Sequence, residues 1–268
     1  MLHATWPARL LMLGFAVILV VAIKSAQNGK TFTIRRIPGL SAIEEAVGRA
    51  VEMGRGIILS HGLGGVDVVT LQAIAICTSI SRQAARFGAR VTLPVFTAAL
   101  FPLVEESVGQ VYMEEGRPDA FSSDDLVYFA GQQFAYAAGV SGIIHREKPA
   151  AMFYFGTFFA ESLILAENAL QVGAIQVAGT PSTTQIPFFI AACDYVIIGD
   201  EYYAATAYIT RQPTLVGSIV GQDRVKLILL LLMLGGVLLG LFGLPLIGNL
   251  LDKTDMSFAD YFKAGGKT

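Results

Sequence analysis

Residues 56–96 read GIILSHGLGGVDVVTLQAIAICTSISRQAARFGARVTLPVF, and this stretch decides the fold. The short apolar run 56–60 has the pattern of a strand buried on both faces. His61-Gly62-Leu63-Gly64-Gly65 makes a glycine turn, helical spacing predicts a helix over 68–87, and Gly88 stops it. A second apolar run, 91–96, follows at once. Strand, turn, helix and strand in that rhythm predict a right-handed crossover joining a parallel pair.

The rhythm continues on both sides. Upstream, 31–37 alternates apolar and polar residues as a short edge strand, ended by Pro38-Gly39. Ser41 and Glu44 form a capping-box pattern that opens a helix over 42–53. Downstream, a helix is expected over 98–115 with Pro102 in its first turn. Ser123 is read as the cap of another over 124–138, with Asp124 and Asp125 complementing its dipole. Strands follow at 151–155, 174–178 and 195–198, and helices at 160–171, 188–192 and 201–209. The expected fold class is α/β: an open, doubly wound, mainly parallel sheet of about five strands.

Both ends of the chain are apolar. Residues 225–251 hold no ionisable side chain between Lys226 and Asp252. At about 1.5 Å rise per residue such a helix crosses a hydrocarbon core of about 30 Å. Its glycines Gly236, Gly240 and Gly243 offer a small-residue surface for another helix. Residues 6–26 are the second apolar helix, with Trp6, Arg9 and Lys24 suited to the interfaces. A cleaved signal peptide ending at Val20-Val21-Ala22 is the competing reading of that segment. The expected organisation is a transmembrane helix at 6–26, an α/β domain at 31–222, a transmembrane helix at 226–251 and a polar tail at 252–268. Lys24, Lys30, Arg35, Arg36, Arg211, Arg224 and Lys226 border the central domain. That bias places the domain in the cytoplasm and the protein in the cell membrane with two spans.

Composition narrows the function classes. The chain is 54% hydrophobic and 15% charged with a net charge of −2, so it lacks the basic footprint that nucleic-acid binding requires. Cys77 and Cys193 lie far apart in apolar surroundings, read as two buried thiols with a disulfide left open. No Cys/His spacing suggests a metal.

Further strings carry a resemblance: Ile34 to Glu44 (IRRIPGLSAIE), Ala160-Glu161-Ser162-Leu163, Gly173 to Thr180 (GAIQVAGT), Gln185 to Phe189 (QIPFF), and Asp194-Tyr195 with Gly199-Asp200-Glu201. Together they resemble a family of membrane-anchored bacterial and archaeal proteins catalogued as a domain of unknown function. The resemblance implies an α/β domain beside membrane spans. It carries no known activity, so it transfers no catalytic residue and leaves any cofactor unknown.

Candidate site residues come from the strand ends, where open α/β sheets bind ligands. They are His61, Gly62, Gly64 and Gly65, then Glu161, then Thr180, Thr183 and Gln185, then Asp200 and Glu201. One imidazole with several carboxylates would suit acid–base chemistry, and the glycine turn would suit an anion. Yet the P-loop lysine, the G-x-G-x-x-G spacing and a catalytic triad are all absent from the sequence. Ser60 and His61 point to opposite faces of a strand and form no nucleophile–base pair. The leading expectation is a membrane-anchored scaffold that forms a homo-oligomer through its α/β domain, with the lipid bilayer as its first partner. A membrane-bound enzyme or nucleotide/anion sensor, and an accessory subunit among other membrane subunits, are the alternatives.

Overall fold

The computed structural model describes residues 6–30, 32, 38–129 and 131–241. All but residue 32 of the expected strand 31–37, with Gly243, the end of the second apolar run and the tail 252–268, lie outside them. By its contacts the chain divides into two units, Thr31–Val216 and the two ends, Met1–Lys30 with Gly217–Thr268.

In the larger unit α2 (Pro38–Met53) leads into β1 (Ile57–Gly62), α3 (Val68–Phe87), β2 (Val91–Val95), α4 (Phe101–Glu114) and β3 (Leu126–Tyr128). The chain then runs through α5 (Gln133–Glu147), β4 (Ala151–Thr157), α6 (Glu161–Gln171), β5 (Ile175–Thr180), α7 (Ile186–Ala192), β6 (Tyr195–Ile198) and α8 (Glu201–Thr210). The strands form one six-stranded sheet in the order β3-β2-β1-β4-β5-β6, and every pairing is parallel. From β1 the chain winds outward to β3, then crosses to the other side of β1 and winds outward again. The winding therefore reverses between β1 and β4.

Strand side chains alternate between two cores. Ile57, Leu59, Phe153 and Phe155 pack with α2, α3, α4 and α8 on one face. Ile58, Met152 and Tyr154 pack with α5, α6 and α7 on the other. Because both faces are covered, β1 and β2 are buried along their length, the polar Ser60, His61 and Thr92 included.

Three expectations are corrected. Among the described residues the sheet has six strands rather than about five. The added one is β3, which pairs in parallel with β2 at Leu93–Val95. Ser123 does not cap a long helix. Ser122 caps a 3-10 turn, Ser123–Asp125, in which Asp125 closes a capping box. Asp125 also accepts from Arg90 Nε at 2.7 Å, so the pair of aspartates serves a turn at the sheet edge and α5 starts only at Gln133. Lastly, α2 starts at Pro38, not after Ser41. Proline is suited to a first helical turn because its fixed φ is helical and its missing N–H leaves no donor unpaired.

In the smaller unit α1 (Trp6–Gln27) meets α9 (Pro213–Leu241). Residues Arg9–Gln27 are long and apolar enough to cross a membrane. A Cβ at Gly217 would lie 2.6 Å from Ile23 Cα, and one at Gly221 would lie 2.9 Å from Leu19 Cδ2 and 3.3 Å from Ala22 Cβ. Ala22 and Ala26 are buried in the same seam. As α9 advances from 217 to 221, its neighbours on α1 step back from 23 to 19, so the helices run antiparallel. Gly217 and Gly221, four residues apart, provide the close approach. Gly236 and Gly240, expected to offer such a surface, come later along α9. Gly221→Leu should push α1 away and lower the unfolding midpoint of the full chain in detergent, by an overpacking cost of about 1–3 kcal/mol. An unchanged midpoint would show that this seam adds no stability.

Candidate functional site

The reversal between β1 and β4 is where open sheets of this winding bind ligands. Here backbone closes it. Ser60 pairs with Tyr154 but Gly62 pairs with Thr157, so β4 carries one extra residue and bulges. Leu63 N–H donates to the Thr157 carbonyl at 2.8 Å. Gly62 has φ +80° and Gly156 φ +117°. A Cβ on Gly62 would meet the Thr157 carbonyl, and one on Gly156 the His61 carbonyl, both under 3.0 Å. Only glycine fits either place.

His61 follows directly. It is 0% exposed, and neither ring nitrogen has a hydrogen-bond partner. Burial pulls its pKa down to about 4, so the ring is neutral at pH 7. Thr70, in the first turn of α3, is also buried with its Oγ1 unpartnered. Gly64 is packed against that hydroxyl, where a Cβ would collide with Oγ1. The start of α3 is already occupied by a carboxylate: Asp67 Oδ1 accepts from the Thr70 N–H at 2.8 Å. That carboxylate holds the position an anionic ligand would take at a helix N-terminus. Gly65, Val66 and Asp67 are exposed at the tip of the turn.

The other candidates form a second network. Glu161, 0% exposed, accepts from the Phe159 N–H at 2.7 Å and from the side-chain amide of Gln133. Ser162 donates to the Phe159 carbonyl at 2.7 Å and lies 3.1 Å from Gln185 Oε1. Thr180 Oγ1 accepts from the Ser182 N–H at 3.2 Å. Glu161, Thr180 and Gln185 therefore fix the loops that start α6 and α7. Thr183, Asp200 and Glu201 are exposed. The expected crevice thus resolves into two groups: His61, Gly62 and Gly64 against β4, and Glu161 with Gln185 between α6 and α7. No hydrogen bond joins His61 to a carboxylate among the described residues.

Four residues that the sequence pattern did not single out belong to this region. Tyr136 on α5 places its hydroxyl 2.8 Å from Ser60 Oγ, and burial raises its pKa. So Ser60 pairs with a tyrosine, not with the imidazole next to it. Gly156, Thr70 and Gln133 are the others, placed as given above. Tyr136 and Gln133 stand on a helix whose start the sequence pattern misplaces. Gly156 carries a local signal, a glycine closing an apolar strand.

Among the described residues no group of three or more His, Cys, Asp or Glu side chains is placed to hold a metal. Cys77 and Cys193 are free, and burial raises both thiols to about 12. Neither is poised as a nucleophile.

A family model described as "Domain of unknown function (DUF6754)" matches residues 3–251, and the chain belongs to that family. No curated protein and no solved structure matches it.

Proposed function

We propose that the protein is a membrane-anchored scaffold. Two spans hold its α/β domain at the bilayer, and the domain self-associates. The observation that carries this reading is the antiparallel seam of α1 and α9. It couples the helix long enough to cross a membrane to a second helix whose Leu227, Leu230, Leu231, Leu232, Met233 and Leu234 are all more than half exposed. In water so much unbroken apolar surface is unfavourable; in lipid it is not. Both termini then lie on one side, and the cationic residues next to the domain favour the cytoplasm for the other. Ala22 serves in the seam, which supports retention of the first span over cleavage after it.

Self-association is supported by the outer face of α7 and the neighbouring edge strand β6. Phe188 is 41% exposed, Ile190 57% and Ile198 45%, and α7 contains no charge. Anchoring confines copies to a plane, so weak apolar contacts are enough to assemble them. Extracted in mild detergent, the full chain should run as a particle of several 28.6 kDa subunits. Phe188→Asp with Ile190→Asp should reduce it to one. A monomeric wild-type chain sinks self-association; a particle containing fixed foreign subunits favours the accessory-subunit reading.

One observation favours a second reading, a ligand-binding role. His61 and Thr70 keep unpaired polar atoms inside the glycine turn. Binding of a phosphate-bearing small molecule, lost on His61→Ala or Gly64→Val, is its test; binding unaffected by both variants rejects this site.

A further inference from the structure

In the α/β unit a groove of about 490 Å³ lies on the solvent side of α4. Glu105, Glu106, Gly109 and Met113 of the helix form one wall, and Pro118 and Phe121 of the following loop form the other. Phe121 is fixed by stacking on Tyr112, with ring centroids 5.5 Å apart. Gly109 keeps the floor clear, since a Cβ there would already reach the Phe121 ring at 3.5 Å. We infer that this groove docks a cationic segment of a partner protein. Two basic side chains meet Glu105 and Glu106, and a large apolar side chain enters between Met113 and Phe121. The inference goes beyond the scaffold reading and depends neither on anchoring nor on the α7 contact.

Charge complementarity carries it. Among the described residues neither Glu105 nor Glu106 forms an ion pair. Glu105 accepts one hydrogen bond, from the Ser123 hydroxyl at 2.8 Å, which leaves most of its acceptor capacity unused. The neighbouring cations are engaged elsewhere. Arg82 and Arg86 pair with Glu114 and Glu115, and Arg90 pairs with Asp125. Arg117 reaches Gly88 at the end of α3. No lysine or arginine lines the groove. The apolar half is equally open, because Met113 is 69% exposed. It stands about 11 Å along α4 from the two carboxylates, so the match is to basic and apolar side chains about two helical turns apart. Methionine beside an aromatic ring is an adaptable apolar contact. Other occupants fit less well. Nucleic acid and anionic lipid are repelled by the carboxylates. A small free amine would leave Met113 and Phe121 in water. The α7 face of a second copy, which has no charge, would leave both acids unmatched.

The test uses the full chain in uncharged detergent and a fluorescent, alanine-based helical peptide. The probe carries two adjacent lysines and, two turns on, a leucine and a phenylalanine; binding is read by polarisation. The wild type should bind it, and should not bind the same peptide with glutamates for lysines. Glu105→Gln with Glu106→Gln should weaken binding about fivefold, the size expected of two rim ion pairs, and should remove most of its salt dependence. Met113→Ser should weaken binding of the probe, but not of a peptide with serines for its leucine and phenylalanine. Gly109→Trp should abolish binding by filling the groove. Glu45→Gln with Glu52→Gln, the same charge change on α2, should alter nothing. Absence of binding, or binding that survives Glu105→Gln with Glu106→Gln, overturns the inference. Displacement by an equal concentration of spermidine overturns it too, by making the groove a site for small amines. If Glu105→Gln with Glu106→Gln instead dissociates an oligomeric particle, the occupant is a second copy and the inference fails. Phe188→Asp with Ile190→Asp should bind the probe normally, so loss of self-association and loss of docking are read separately.

Discussion

Gly156→Ala should be among the most damaging single substitutions in the α/β unit, costing about 2–6 kcal/mol. Two penalties add. The backbone sits at φ +117°, a region open to glycine almost alone, at about 1–3 kcal/mol for a residue with a side chain. The new methyl would also meet the His61 carbonyl under 3.0 Å and Ala73 Cβ at 3.3 Å. A carbonyl already committed to the sheet cannot withdraw as a flexible side chain can, so overpacking adds about 1–3 kcal/mol. Gly54→Ala is the control. Its φ is +61° but nothing lies within 4 Å of the added methyl, so it should show the conformational penalty alone, about 1 kcal/mol. Thermal unfolding of the full chain in detergent measures both. Equal losses would mean that β4 does not close tightly on β1.

This closure shows where sequence reading succeeds and where it stops. The helix expected over 68–87 is α3, Val68–Phe87, because apolar spacing, an acidic cap and a closing glycine agree locally. The strand expected over 195–198 is β6. Such signals are carried by neighbours in the chain. Ser123-Asp124-Asp125 also reads as a helix start, yet Leu126–Tyr128 gain more by pairing with Leu93–Val95, a partner more than thirty residues away that no local pattern reveals. The site is similar. His61 and its glycines are visible as a turn, but their relation to Gly156 exists only through space. The small-residue seam is legible in principle: Gly217-Ser-Ile-Val-Gly221 has the spacing that lets helices approach. It lies before the leucine run rather than within it, because in the observed register α1 meets the start of α9.

His61 should make the folded state weaken in mild acid. Its pKa is lowered to about 4 by burial, against 6.5 for the unperturbed group, and no charged neighbour contributes to the shift. Above pH 6.5 the ring is neutral folded or unfolded, and the full stability is present. Between pH 6.5 and 4 the unfolded chain takes up a proton that the folded chain refuses, so stability falls as pH falls. Across that window the loss attributable to this one ring is about 3 kcal/mol. His61→Leu removes the titration, so when unfolding free energies are compared from pH 7 to 4.5 the variant should gain steadily on the wild type toward the acid end. At pH 7 the variant should not be much the weaker of the two, because it also removes two buried nitrogens that have no partner, and an unpaired buried polar atom costs about 1–3 kcal/mol. A wild-type chain whose acid sensitivity survives unchanged in His61→Leu would mean that water or a ligand reaches the ring, and would turn the glycine turn from a closed joint of the sheet into an open site.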